Sequence, residues 1–590
     1  MTVSQVEQTN EHFKLPIHYN KNKVVIKENI VTDLELVDTI DPSNNAIYNY
    51  YFNTLDDTKK LLTKQIVNQA SKYYTNDIEF LKDNQNLLKN FKSVSDETCE
   101  TCEKKYEKMI ELWNEIKDDT GFKERYYYID WPMWEFLNKS QHFLQIMSIY
   151  NMTSPVISLF VPIIILIIPF LIIRLKGLKL TMNEYIEVLK IVISQHSVGK
   201  LFTQFDNVSF QEKIYLLVSA GFYMFSIYQN ILVCYRFHEN MKKIHNYFNE
   251  IKIYLDETIL SMNNYCLYSK DLKTHNDFNE TLCNNIKTLN ELKSRLDVVS
   301  EFTYSFHKIS EIGHILKTFY EIYDNKIYES AIIYSFGFNG YIDCITGLQE
   351  NIAQGKINYT RFTTKKNKNN IRKNYYACLK DKTHVKNDIK LNKNLIISGP
   401  NASGKTTVIK SVLINIIFSQ QFGCGFYGSA IIKPYDNLHC YLNIPDTSGR
   451  DSLFQAEARR CKEIIDIIDK DLSHNETHFC AFDELYSGTN PEEATISAIA
   501  FMKYITKNKN VNSILTTHFM KVCKKLDTSK MITNYYMETN KSKSGKTLEY
   551  LYKMRKGISS VKGGLNILYD MNYPSEIIKN TLNKKYCYNL

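Results

Sequence analysis

Glycine and proline are scarce in this chain, 20 and 11 of its 590 residues. With so few breakers, helical patterns run on with little to stop them, most plainly over about 236–350. Paired cysteine motifs are also missing. Thirteen cysteines are scattered, and the one close pair, Cys99 and Cys102, has no second pair or nearby histidine, which excludes a tetrahedral zinc site built around it. They read as reduced thiols of an intracellular protein. The opening stretch "MTVSQVEQTNEHFKLP" has no apolar core segment, so a secretory signal is not expected there. No strong charge imbalance exists either: net +9 with 23% charged residues permits an anionic partner, nucleic acid or a membrane surface, without requiring one. Global disorder is excluded, because 44% apolar residues can build ordinary cores. The 42 tyrosines beside abundant Lys, Asn and Ile read as genome composition rather than a binding function.

What is present divides the chain into stretches of different character. Residues 1–29 read as a polar tail, and 30–150 as helical. In "KKYEKMIELWNEI", Tyr106, Met109, Ile110, Trp113 and Ile116 recur at steps of three and four, a core-facing stripe. Residues 151–236 hold two apolar runs. The first, 156–173, has no charge and is just long enough, at about 1.5 Å per residue, to cross a hydrocarbon layer about 30 Å thick. The second, 214–235, is interrupted by Gln229 and Asn230. With both chain ends cytosolic, Arg174, Lys176 and Lys179 would lie on the far side, against the positive-inside tendency, and Pro162 and Pro169 permit a broken or re-entrant helix. Two readings stay open: a hairpin inserted in a membrane, and a buried helical pair in a soluble core. Residues 237–375 return to helical pattern and end in the basic connection "TTKKNKNNIRKNYY", read as a solvated loop able to touch phosphate backbones. From 376 to 590 the character becomes strand, loop, helix.

The chemistry concentrates in that last stretch. "LIISGPNASGKTTVIKS" places a loop of Gly399, Pro400, Asn401, Ala402, Ser403, Gly404, Lys405, Thr406 and Thr407 between an apolar strand and a helix, matching G-x-x-x-x-G-K-[ST]. The glycines let amides turn toward phosphates, Lys405 reaches the β and γ oxygens, the Thr406 hydroxyl can ligate Mg²⁺, and the helix adds its positive N-terminal end. ATP with Mg²⁺ is the expected cofactor. About eighty residues on, "HFCAFDELYSGTNPEEA" ends a strand in Asp483 and Glu484, so one carboxylate can hold the metal's water shell and the next can face the attacking water. "NSILTTHF" puts His518 at a strand's C-terminal end, where ligands of parallel sheets collect. In "DTSGRDSLFQAEARRCKEIIDIIDKDL", Phe454, Ala458, Cys461, Ile465, Ile468 and Leu472 predict a helix starting near Ser452, whose first turn offers amides to an anion.

The order "GPNASGKTT", "GRDSLFQAE", "DELYSGTNP", "TTHF" and "RKGISSVKGGLNILYDMNYPSEII" resembles the ATPase domain of the MutS family of DNA mismatch-repair proteins, over about 376–585. "LDDTKKLLTKQIVNQASKYYTNDIEFLKDNQNLLKNF" resembles, more loosely, the start of that family's helical core and lever region. The resemblance implies an α/β ABC-type P-loop domain behind helical levers, with two composite ATP sites at the interface of a dimer, of this chain with itself or with a MutS-like paralogue. By the same resemblance Asn401, Lys405 and Thr406 bind phosphates and Mg²⁺, Asp483 supports the metal, Glu484 polarises water, and His518 is a switch histidine. Ser452 sits in the signature helix that meets the partner's nucleotide, although Asp451 intervenes where the family has Ser-Thr close after the glycine. His384 and Tyr552 fall where the family sandwiches adenine.

The family's mismatch-reading members carry a Phe-x-Glu wedge in an N-terminal domain, for which 1–29 leaves no room. The tripeptide in "FYEIY" lies in a helical stretch and reads as coincidence, so wedge-type mismatch recognition is not expected. The apolar hairpin lies roughly where the family inserts its DNA-gripping clamp, and a membrane anchor is expected in its place. Expected partners are double-stranded or branched DNA, and a membrane through 156–173 and 214–235, with an intracellular ATPase domain on the cytosolic side. A second reading is a membrane-tethered mechanical ATPase working on a protein or lipid. A generic transporter or chromosome-clamping ATPase is disfavoured by "DELYSGT" and the C-terminal match.

Overall fold

The computed structural model describes residues 10–54, 60–94, 99–117, 120–177, 181–195, 209–300, 306–365, 368–442, 444, 452–471, 475–541, 548–561, 571, 573–574 and 576–577. The chain forms two compact units, one of residues 1–103, 260–286 and 332–590, the other of 104–259 and 287–331. This differs from the linear division read in the sequence. Helical periodicity reveals that a face is buried without revealing which body buries it.

The first unit holds all thirteen described strands: β1 (Lys23–Val25), β2 (Tyr73–Thr75), β3 (Asn358–Phe362), β4 (Asn370–Asn374), β5 (Asn387–Lys390), β6 (Asn394–Ser398), β7 (Cys424–Gly425), β8 (Ser429–Ile432), β9 (Asn437–Tyr441), β10 (His478–Asp483), β11 (Val511–Thr517), β12 (Ile532–Lys541) and β13 (Leu548–Lys556). Six form the central sheet, in the order β13-β12-β6-β11-β10-β9. From β12 to β9 every neighbour is parallel, and only β13 runs antiparallel. Every residue of β6 and β11 is buried, as expected of parallel strands covered on both faces. The core on one face joins Cys461, Ile464 and Ile468 of helix Leu453–Lys470 to Phe482, Phe501 and Leu515. A five-stranded sheet, β5-β4-β8-β3-β7, lies beside it in sequence. It takes β4 from the stretch read as a basic loop, because Ile371 is buried and its backbone pairs with both β5 and β8.

The N-terminal segment belongs to this unit rather than forming a polar tail. Phe13 and Leu15 are buried, and Gln69 fixes both, accepting from Leu15 N at 3.0 Å and donating to Phe13 O at 2.8 Å. Residues 48–54 and 60–85 dock where the helix Lys405–Ser419 ends. Tyr51 stacks on Phe418 at 3.7 Å, and the Gln421 amide donates to the carbonyls of Ala70 and Tyr73. Gly347 lets this segment in: a Cβ there would sit 1.7 Å from the carbonyl oxygen of Phe52.

The second unit is helical in its described residues. Met109, Ile110, Trp113 and Ile116 are buried, as the stripe predicts. Phe122, stacked on Tyr323 at 3.9 Å, centres an aromatic core with Tyr126, Tyr128 and Phe319. The apolar runs lie in two long helices, Gln141–Leu175 and Phe210–Ser269, the first continuing through Pro162 and Pro169 without a break. They are not a buried pair. Only 11% of Gln141–Phe160 is buried.

Candidate nucleotide site

The loop Gly399–Thr406 leaves the C-terminal end of β6, between β11 and β12, and opens the helix Lys405–Ser419. Two residues bend it through the left-handed region, Ala402 at φ +63° and Gly404 at φ +89°. Only glycine adopts this freely, and a Cβ on Gly404 would also approach the Tyr552 ring to 3.1 Å. A Cβ on Gly399 would meet Ser403 Oγ at 2.9 Å. The Lys405 side chain is 5% exposed, its Nζ donating to Pro400 O at 3.1 Å and lying 3.5 Å from Glu484 Oε1. A buried ammonium held by one carbonyl and one carboxylate has donor capacity for an anion.

Strands β10 and β11 carry the acidic half. Register pairs Asp483 with Thr516, and both ends converge on the loop. Asp483 is bridged on its two oxygens: Thr406 Oγ1 donates to Oδ2 at 2.8 Å, and Thr516 Oγ1 donates to Oδ1. Glu484 follows at φ +51°, a strained conformation for a non-glycine residue, fixed by its amide donating to Thr516 O at 3.0 Å. That turn sends its carboxylate away from Asp483, so that Oε1 lies 3.2 Å from His518 Nδ1 as well as near Lys405. The His518 hydrogen bond holds the Glu484 carboxyl below its ordinary range; burial opposes this, and the charges of His518 and Lys405 add to the lowering.

Thr406, Asp483, Glu484, His518 and Lys405 are therefore one connected cluster. Tyr552 adjoins it across Gly404, half exposed and at φ +53°. His384 does not join it: its ring stacks on Tyr375 at 4.2 Å, and among the described residues it makes no ring contact with Tyr552. The two segments still adjoin through Asn387, which donates to Tyr552 O and accepts from Met554 N.

Ser452 caps the helix Leu453–Lys470. Its Oγ accepts from Gln455 N, while its own amide donates to Gln455 Oε1 at 2.9 Å. This capping box uses two of the donors that the sequence reading left for an anion, keeping the serine exposed on the surface. Gly449, Asp451, Leu472 and most of "GISSVKGGLNILYDMNYP" lie outside the described residues.

Three functional neighbours escaped the sequence reading. Thr516 carries no signal in the sequence beyond its place in an apolar strand. Ser398 accepts from Ser559 N and donates to Tyr535 O, tying the loop's base to β12 and the stretch after β13. Glu457, 3% exposed, accepts from Ser487 Oγ at 3.0 Å and Gly488 N at 3.1 Å, tying the helix Leu453–Lys470 to the loop after Glu484. One signal was available for Glu457: an acid between Phe454 and Cys461 on an otherwise apolar stripe demands a buried partner.

Comparison with known proteins relates this part of the chain to a family. Residues 395–587 match the family model for MutS domain V. Endonuclease MutS2 of Lactococcus lactis subsp. cremoris is 31% identical over 140 residues, 23% of this chain and 17% of that protein. Endonuclease MutS2 of Clostridium botulinum (strain ATCC 19397) is 28% identical over 130 residues, 22% of this chain and 16% of its own length. DNA mismatch repair protein MutS of Staphylococcus saprophyticus is 30% identical over 189 residues, 30% of this chain and 20% of that protein. The chain thus spans a fifth or less of the length of these relatives. Residues 395–587, which carry the P-loop, Asp483 and Glu484, are thus a MutS domain V, and it is this part of the chain that belongs to the MutS family.

Proposed function

We propose that the chain binds and hydrolyses ATP with Mg²⁺ in sites completed by dimerisation, and uses that cycle to act on DNA in repair or recombination. The carrying observation is the split of two adjacent carboxylates. Asp483 is consumed by the hydroxyls of Thr406 and Thr516, whereas Glu484 is turned out by its positive φ and shared between His518 and Lys405.

The residues fit the group. Ser403 Oγ is buried with no hydrogen-bond partner, glycines stand where a Cβ would crowd the loop, and the Lys405 ammonium is buried. Bound Mg²⁺·ATP supplies the transferable phosphoryl group and the metal's charge. Lys405 and the loop amides would hold phosphate oxygens, and Thr406 and Asp483 would hold the metal. Glu484 Oε1 orients the attacking water and takes its proton, which His518 Nδ1 prepares by keeping that oxygen ionised and fixed. Catalysis of this kind is electrostatic positioning, so small displacements of Glu484 are costly. Tyr552 offers the base a stacking face. Ser452, exposed at the tip of its helix, faces the partner subunit's nucleotide, and the long helices carry closure to whatever the levers grip.

The test is Glu484→Gln. Hydrolysis should fall about 10²-fold or more while ATP binding persists, because the amide keeps the shape and loses the base. Turnover equal to the parent chain would remove Glu484 from this role. Stimulation of the parent's turnover by branched or duplex DNA, with binding that weakens steeply in salt, is the matching expectation for the substrate.

A further inference from the structure

We propose that the two apolar helices of the second unit form a hairpin that crosses a lipid bilayer. The argument begins with which side chains face outward. Val156, Ile157, Leu159 and Phe160 are 45–54% exposed, and at about 100° per residue they cover the outward side of the helix, opposite Ser158, which faces the second helix. On the second helix Leu217, Val218, Phe222, Met224 and Phe225 are 51–68% exposed. An apolar surface extending around both helices over this length far exceeds the patches that soluble monomers leave in water. A second copy of the chain would cover one face of such a hairpin. Hydrocarbon covers every face.

The polar groups are arranged the opposite way from those of a water-soluble pair. Asn230 Nδ2 donates to Ser158 Oγ at 2.6 Å, Tyr223 OH donates to Ser158 O at 3.0 Å, and Cys234 Sγ faces Met152 O at 3.7 Å. The interruption that weakened the second run in the sequence is thus partly an interhelical hydrogen bond, the way polar residues hold helices together in lipid. Gln229 and Ser226 remain exposed on the outer surface.

Dimensions and ends agree with a bilayer. The contacts of 152 with 234 and 158 with 230 set an antiparallel register that brings Tyr150 and Tyr235, 60% and 62% exposed, to one end. Tyr215, 68% exposed, lies at the other end. From Tyr215 to Tyr235 the helix rises about 30 Å, the thickness of the hydrocarbon layer, and tyrosines at both borders are what the headgroup region selects. Exposed cations stand just outside, Arg174 and Lys176 beyond Ile173 and Arg236 beyond Tyr235, matching anionic headgroups. Pro155, Pro162 and Pro169, seven apart in an unbroken helix, suit a span where proline is better tolerated than in soluble helices.

The full-length chain should be mixed with vesicles of phosphatidylcholine and phosphatidylserine, washed in alkaline carbonate and floated. It should rise with the lipid, and Leu159→Arg combined with Phe222→Arg should reduce the floating fraction about tenfold or more while ATP binding is kept. As a second readout, Ile164→Trp should add an emission quenched by lipids brominated at mid-chain. A chain that is monodisperse without detergent, or a soluble dimer held through this hairpin, would overturn the proposal, as would unquenched emission from Ile164→Trp. Because ATP binding is read separately, failure here leaves the nucleotide site untouched.

Discussion

Two adjacent carboxylates acquire different tasks through one dihedral angle. Asp483 ends β10 in ordinary extended backbone with both oxygens occupied, and Glu484, at φ +51°, swings its carboxylate to His518 and Lys405. The residue types and their strand-end position were legible in "FDELYSGT"; the backbone inversion was not, since only glycine announces a positive φ in sequence. The consequence is electrostatic. A carboxyl with a depressed pKa is charged above that pKa and loses its function as pH falls through it. Removing the His518 hydrogen bond raises the Glu484 pKa toward its ordinary value, so His518→Ala should move the acidic limb of the ATPase rate profile to higher pH and lower the plateau about tenfold or more. Rates measured across the acidic range decide it. A limb that stays in place would show that His518 does not govern the charge of Glu484.

At the scale of elements, the parallel strands were easy to read and their edges were not. "NLIIS" and "NSILTT" are continuous apolar runs because both faces are covered, whereas β4, "NIRKN", buries Ile371 among polar neighbours and reads as loop. The docking of residues 48–54 and 60–85 on the end of the P-loop helix was hidden for a related reason. It relies on buried glutamines and tyrosines, Gln421 and Tyr48 among them, whose partners lie more than 300 residues away. The signature helix shows the same dependence on a distant polar contact. Leu453 packs so close to Gly488 that a Cβ there would sit 2.7 Å from Leu453 Cγ, and Glu457 takes both donors of the adjoining loop. Glu457→Ala removes the buried carboxylate that accepts from the exposed Ser487 hydroxyl and Gly488 amide, and losing these hydrogen bonds to a charged group should cost about 1.5–3 kcal/mol, whereas Glu457→Gln should retain about half of that by keeping one acceptor. Denaturant unfolding of the two variants measures the difference, and equal losses would mean that helix packing, rather than the hydrogen bonds, holds the loop.

For the molecule as a whole, the proposed two-copy site predicts a division of labour between its protomers. Lys405 is buried at the head of its helix, and Ser452 is exposed at the head of another, its hydroxyl already engaged as a cap. A residue so placed contributes through the surface it presents rather than by reaching back into its own loop. Lys405→Ala disables the phosphate side and Ser452→Arg disables the presented side, so each alone should hydrolyse ATP poorly. Mixed in equal amounts, half the dimers carry one copy of each variant, and in those one site combines an intact Lys405 with an intact Ser452. About a quarter of the parent rate should return, because half the dimers regain one of two sites. A chain whose copies hydrolyse ATP independently would regain nothing on mixing, since no single chain in the mixture holds both intact residues. The rate of the mixture against the mean of the two separate variants therefore distinguishes a shared site from a self-contained one, whether the levers act on DNA or on another partner.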